Sequence, residues 1–281
     1  MLALALLLSL ASAFAINWGY LAQHGVAQEL PPLSARHPVR SLRLLFSNLR
    51  WLAGFLVGIL GWVFYVAAVK LAPLSLVQAV SAGGIGLLAL LIWKTTGTQL
   101  SRREWAGVGT SVAGLMLLGL SLAGYASRAS HSSWKMVAAW MLVSLVAAAL
   151  LAGPASRFLA GGAGLGLAAG VMYAAGDVAT KAAVGGGWRL AFVPALLACH
   201  GLAFVFIQLA FQRGGALATA GMATLATNAL PILAGMTLFH EPLPAGAVGV
   251  LRIGAFVLTV GGAALLARPE ETEAGALPAV T

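Results

Sequence analysis

The sequence predicts an all-α integral membrane protein of about nine transmembrane helices. Three observations predict it. Hydrophobic residues make up 60% of the 281 residues and charged residues 8%, where a soluble domain carries about 25%. The apolar residues fall into nine runs, each close to the ~20 residues that cross a bilayer. The runs are spread along the whole chain, which favours one bundle.

In order, the segments are 2–22, 51–71, 73–93, 105–124, 134–152, 160–182, 190–211, 216–238 and 246–267. In the first, Leu2 to Leu10 resembles the apolar core of a signal peptide, and Ala11-Ser12-Ala13 resembles a cleavage site. No positive region precedes it and the apolar sequence runs on, so it is read as a helix. It carries Asn17, Tyr20, Gln23 and His24 toward its end. The connection from Gly25 to Arg50 is the longest and is broken by Pro31, Pro32 and Pro38. From Val39 it alternates Arg40, Arg43 and Arg50 with Leu42, Leu44, Leu45, Phe46 and Leu49. That pattern suits a short helix on the membrane surface. It serves either as a lipid contact or gate, or as a solvated loop whose charges set topology.

The formal charge of +9 is not a nucleic-acid signature, because Lys and Arg sit mostly between apolar runs. There they set orientation. With the N-terminus outside, the inner side holds ten: Arg36, Arg40, Arg43, Arg50, Lys94, Arg102, Arg103, Arg157, Arg213 and Arg268. The outer side holds five: Lys70, Arg128, Lys135, Lys181 and Arg189. The excess predicts an N-terminus outside and a C-terminus in the cytoplasm, in a cytoplasmic membrane. The tail 268–281, with Glu270, Glu271 and Glu273, reads as disordered. The lone Cys199 excludes an intrachain disulfide.

The two halves echo each other. Lys70-Leu71-Ala72-Pro73-Leu74 precedes one helix and Arg213-Gly214-Gly215-Ala216-Leu217 another, with the basic residues 213 − 70 = 143 apart. Leu100-Ser101 and Leu243-Pro244, leading into the fourth and ninth segments, are also 143 apart. The plan is a first repeat over 1–124, a connecting helix within 125–157 and a second repeat over 158–267. One extra crossing inverts the second repeat, a plan that recurs among secondary transporters.

The run Arg50-Trp51-Leu52-Ala53-Gly54 through Leu71-Ala72-Pro73-Leu74-Ser75-Leu76-Val77-Gln78, with the Gly-rich helix Leu100 to Gly114, resembles the drug/metabolite transporter superfamily (EamA-like proteins). Tyr173 to Ala182, with Lys181, and Asn228 to Pro242 are similar again. Within the superfamily the chain most resembles the nine-helix NIPA-like branch, linked to magnesium transport. The resemblance implies the fold of two inverted four-helix repeats and a transport function. His240 stands where the family usually has Gly, and Thr98 where it often has Glu. Those departures weaken any ion-handling role at the acidic positions.

The stretch from Gly170 to Val184 carries the chemistry. Asp177 and Lys181 lie in an apolar run, where each costs about 2.5–3.5 kcal/mol at the centre of a membrane helix. Their i, i+4 spacing puts them on one face, which Tyr173 continues. The pair reads either as a polar element facing a substrate path or as a salt bridge near the helix end with Lys181 snorkelling to headgroups. In the eighth segment Thr224, Thr227, Asn228 and Pro231 share a stripe. Pro231 removes the helical partner of the Thr227 carbonyl, which must then find another donor or face water. Gln78, Ser81, Gly83 and Gly84 stand in the matching helix of the first half. These groups either line a site or bond helix to helix. Gly54-x-x-x-Gly58 and Gly166-x-x-x-Gly170 read as packing contacts. The five His show no ligand spacing for zinc, and His200 reads as a core histidine or a proton relay.

The candidate site is therefore Asp177, Lys181, Tyr173, Asn17, Gln23, Gln78, Thr227 and Asn228, with no metal site, no catalytic residue and no cofactor. The expected function is alternating-access transport of a small polar solute or metabolite. Magnesium transport is the alternative, and a non-transporting scaffold the alternative of another class. Expected partners are the lipid bilayer and a small polar solute or cation, with a homodimer open and no nucleic acid. A carrier requires the polar residues to line one cavity, whereas a scaffold leaves them scattered.

Overall fold

A computed structural model describes residues 2–34, 37–72, 74–81, 84–97, 99–122, 132–159, 161–239 and 246–267. Pro73, Gly83, Thr98, Arg128, His131, residues 240–244 and the tail 268–281 lie outside the described residues. The described chain is helical: α1 Leu2–Glu29, α2 Pro38–Phe46, α3 Leu49–Leu71, α4 Leu74–Ser81, α5 Gly84–Thr96, α6 Arg102–Leu122, α7 Trp134–Ala152, α8 Ala163–Ala183, α9 Val193–Phe211, α10 Met222–Thr237 and α11 Ala247–Ala267. Short 3-10 turns precede α8 and α9, and a π turn, Leu217–Gly221, runs into α10. Among the described residues six helical stretches are long and apolar enough to cross a membrane. With large apolar side chains such as Leu7, Leu142, Val143 and Val257 exposed on the outside, the protein is an integral membrane protein.

Several segment ends move, for physical reasons. The first helix extends to Glu29 instead of ending at residue 22. The polar residues that closed the apolar run find partners inside the bundle: the Gln23 side-chain oxygen accepts from Gln208 at 2.7 Å, and His24 Nε2 meets the Gly214 carbonyl at 3.0 Å. The third expected segment, 73–93, contains two described helices, α4 and α5. The amphipathic stretch after Pro38 is helical, with Val39, Leu42 and Phe46 exposed and Leu45 buried. The Asn48 side chain caps α3 by accepting from the backbone of Arg50 and Trp51 at 3.0 and 3.1 Å. Ser101 and Glu104 form a reciprocal capping box at the start of α6.

The centre of the bundle is α8. Eighteen of its 21 residues are buried, and 89% of its most apolar window is enclosed, against 17% for α7. Small residues make this possible, since Gly and Ala let backbones approach closely. A Cβ on Gly170 would lie 2.5 Å from the Ala223 carbonyl oxygen, and one on Gly166 would run into the Thr219 backbone. On the other side of the bundle Gly19 crosses Gly54, where an added Cβ would sit 2.6 Å from the Gly54 carbonyl. The glycines read as packing contacts at 54, 166 and 170 are packing contacts. Gly58 also packs against Gly19, whose added Cβ would lie 3.3 Å from the Gly58 nitrogen, and it borders a cavity as well.

The packing follows a pattern. Helix α1 lies along α3, and α8 along α9; α4 packs on α10, and α6 on α11. The last pair is pinned by Arg252, whose guanidinium donates to the Ser121 hydroxyl at 3.1 Å and to its carbonyl at 2.9 Å.

Gly170→Leu should lower stability by about 1–3 kcal/mol, the usual cost of overpacking, read as a lower melting temperature in detergent. Gly254→Ala, where an added Cβ meets nothing within 4 Å, should leave it unchanged or raise it by up to about 1 kcal/mol.

Candidate functional site

A cavity of about 430 Å³ lies between α1, α3 and α4 on one side and α8, α9 and α10 on the other. Its lining is mostly apolar, with a set of polar side chains among it. Seven of the eight residues singled out in the sequence border it: Asn17, Gln23, Gln78, Tyr173, Asp177, Thr227 and Asn228. Aromatic and aliphatic side chains, among them Phe55, Trp62, Leu197 and Phe204, complete its wall, and Leu42 and Phe46 of α2 reach it as well.

Asp177 is the centre of the polar wall and is 4% exposed. The Gln78 amide nitrogen donates to its Oδ2 at 2.9 Å and is also 2.9 Å from the Tyr65 hydroxyl. One amide thus joins α3, α4 and α8. On the far side His200 Nε2 is 3.7 Å from Asp177 Oδ1. The imidazole can approach because position 176 is glycine: a Cβ there would collide with the ring. Rings of Trp62 and Tyr173 flank it, with centroids 5.8 and 5.7 Å away.

A second polar chain runs from α3 through α9 to α1. The Trp51 indole N–H donates to the Gln208 side-chain oxygen at 3.1 Å, and the Gln208 amide donates to Gln23 at 2.7 Å. A third links α1 to α10. The Thr224 hydroxyl donates to the Asn17 side-chain oxygen at 3.3 Å, and the Asn228 amide donates back to the Thr224 carbonyl at 2.7 Å. Thr227 borders the same cavity, and its hydroxyl donates to the Gly170 carbonyl at 3.4 Å. The indole nitrogen of Trp62 and the hydroxyl of Ser81 border the cavity with no protein partner. Both atoms are buried.

Lys181 is placed differently from the other seven. It reaches across to α3, and its ammonium donates to the carbonyls of Val69 and Ala72 at 3.0 and 3.1 Å. The last carbonyls of a helix lack intrahelical donors, and a cation there also suits the helix dipole. The ion pair drawn by Asp177 here is with His200. His200, which the sequence left as a core histidine or a proton relay, lines the cavity, as do Tyr65 and Trp62, which the sequence did not select; Gln208, also not selected, bonds to the lining residue Gln23. Each sits in an apolar run, so its pattern is that of a core residue. The only available signal was that Gln208 and His200 are polar groups within the seventh segment.

Among the described residues no group of three or more His, Cys, Asp and Glu is placed to hold a metal ion. The site offers one carboxylate, one imidazole, amides, hydroxyls and aromatic faces. It suits a small solute with a positive or hydrogen-bonding group.

Over 276 aligned positions the chain is 26% identical to the probable magnesium transporter NIPA9 of Arabidopsis thaliana, covering 90% of this chain and 79% of the relative. The similarity bears out, at the level of the family, the resemblance to the NIPA-like branch. No protein-family model and no solved structure matches the chain.

Gln208→Leu should cost about 1–3 kcal/mol, because it strands the buried Trp51 indole and the Gln23 oxygen. Thermal unfolding of the purified protein in detergent measures it. Substituting exposed Leu197 by Val should shift the same melting curve by less than about 1.5 kcal/mol.

Proposed function

We propose that this chain, NIPA-like at the level of the family, is a secondary transporter that moves a small polar solute or cation across the cytoplasmic membrane by alternating access. The observation that carries the proposal is the convergence of Asn17, Gln23, Gln78, Tyr173, Asp177, Thr227 and Asn228 from four helices on one cavity. A scaffold has no use for polar groups gathered in that way. The fold we propose has nine crossings, in two inverted repeats of four joined by α7, with the N-terminus outside. The pairing of α1 with α3 and α8 with α9, and of α4 with α10 and α6 with α11, supports it. The Lys and Arg excess supports the orientation. In such a carrier the two repeats rock about a fixed site near mid-bilayer; the lining of the cavity by α1, α3 and α4 together with α8, α9 and α10 supports that reading.

Magnesium is the second reading, supported by what the Arabidopsis relative is named for. Mg²⁺ dehydrates reluctantly and usually keeps several waters. In a cavity of about 430 Å³, a hydrated ion would be held by amides and hydroxyls through its waters, with Asp177 as countercharge. The single acid favours a singly charged solute over a divalent ion, because a fully compensated Mg²⁺ needs two negative charges.

Reconstituted vesicles test both. In a flux screen of Mg²⁺, amino acids, nucleosides and organic cations, Asp177→Asn should reduce transport of whichever solute is carried by about tenfold to a hundredfold. That matches the ~1.5–3 kcal/mol of a hydrogen bond to a charged group. Asn228→Ala should reduce it by less, by about tenfold or under. Wild-type vesicles that move none of these solutes, or an unimpaired Asp177→Asn protein, would dismiss the proposal.

A further inference from the structure

We infer that His200 and Asp177 share one exchangeable proton, and that this proton is the coupling ion displaced when a cation enters the cavity. The second half of the inference rests on the carrier reading; the first does not.

The argument starts from hydrogen-bond bookkeeping on the imidazole. His200 Nδ1 lies 2.9 Å from the Leu196 carbonyl oxygen. A carbonyl only accepts, so Nδ1 carries the hydrogen. In the neutral ring Nε2 then bears a lone pair, and it is this nitrogen that faces Asp177 Oδ1 at 3.7 Å. A lone pair facing a bare carboxylate is repulsive, so one proton belongs between them. It sits on Oδ1 with a neutral ring, or on Nε2 with an imidazolium beside a carboxylate. Both arrangements have the same net charge of zero. Rotation of either side chain or one bridging water closes the gap, as is usual for polar contacts beyond ~3.5 Å.

The surroundings make this pair the proton's place. The titratable groups facing it are Tyr65 from α3, Tyr20 from α1 and Tyr173 from α8, all phenols that exchange protons only at high pH. Helices α4 and α10 face it with Gln78, Thr224, Thr227 and Asn228, which do not titrate. Lys181, one turn along α8, has its ammonium against the Val69 and Ala72 carbonyls. Gln78 holds Oδ2 in place through its amide, leaving Oδ1 for the proton.

The consequence is exchange. A cation that reaches the Asp177 carboxylate takes the place of the proton it shares with His200. When a cation reaches Asp177, the proton leaves through His200 to water, and when the cation leaves, a proton returns by the same atoms. No bond other than O–H and N–H is made or broken.

Two measurements on the full-length protein test it. In lipid nanodiscs, with histidine rings labelled with nitrogen-15 and aspartates with carbon-13, His200 is assigned by the signals lost in His200→Asn. We expect Nδ1 to stay protonated throughout, and Nε2 and the Asp177 carboxyl to change in one common step. Two separate steps, or His200 signals that Asp177→Asn leaves untouched, would overturn the shared proton. In vesicles with an internal pH dye, inward gradients of Mg²⁺ and of tetramethylammonium are the probes. If either moves, the lumen should become more alkaline, and His200→Gln should cut the protons moved per cation by about tenfold or more. Cation movement in wild type with no change of pH would overturn the coupling and leave the carrier standing. If wild type moves neither probe, the carrier reading falls for both cations and with it the coupling, while the resonance measurement still decides the shared proton.

Discussion

A single amide nitrogen, that of Gln78, holds the polar centre of this protein together. It contacts Tyr65 on α3 and Asp177 on α8 from α4. Inside hydrocarbon no water is at hand to replace such a partner, so each polar group must be met by the protein or by a cavity. An ionised acid stranded there would be expensive. Asp177 is tolerable because Gln78 donates to one oxygen and His200 stands at the other. The cavity is therefore tied to the acid: groups that make the acid tolerable also form the polar wall.

This arrangement needs α8 to be reachable from several sides. A helix of large residues would keep its neighbours too far away for Gln78, His200 and Tyr65 to meet one carboxylate. Glycine and alanine along α8 bring α9, α10 and the end of α7 close to its backbone. Position 176 shows the principle at one atom, since the imidazole occupies the space a Cβ would fill. Packing and chemistry are the same decision at that residue. The Lys181 bridge to the end of α3 holds the same helix to the first half from one turn further along.

Much of the site was legible in the sequence, and the reason is physical. Asn17, Gln78, Asp177 and Asn228 stand out because membrane helices rarely carry such groups without use for them. Helical spacing then places Thr224, Thr227 and Asn228 on one stripe. What spacing cannot supply is the partner on another helix. Lys181 and Asp177 are neighbours by i, i+4 logic, yet the carbonyls that receive Lys181 belong to α3, over a hundred residues away. His200 and Gln208 look like core residues along α9 until α8 and α1 are laid beside it. The length of α1 was hidden for the same cause: Gln23 and His24 resemble a helix end only while Gln208 and the Gly214 carbonyl are out of view.

The cavity is lined by α1, α2, α3, α4, α8, α9 and α10, and α6 and α11 stand apart from it. Among the described residues α6 and α11 contribute none to its wall. They pack on each other, with a Cβ on Gly262 excluded by the Gly107 carbonyl and Ser111, and Arg252 bonded to Ser121. A buried arginine joined to a neighbouring helix resists separation, because pulling the helices apart would leave its charge in lipid. One pair of helices is thus held together by polar and small-residue contacts, while seven others line a cavity. The two regions differ in what holds them: α6 and α11 meet through small residues and one buried arginine, whereas the cavity wall is held around its acid by the amides of Gln78 and Gln208 and the hydroxyl of Thr224.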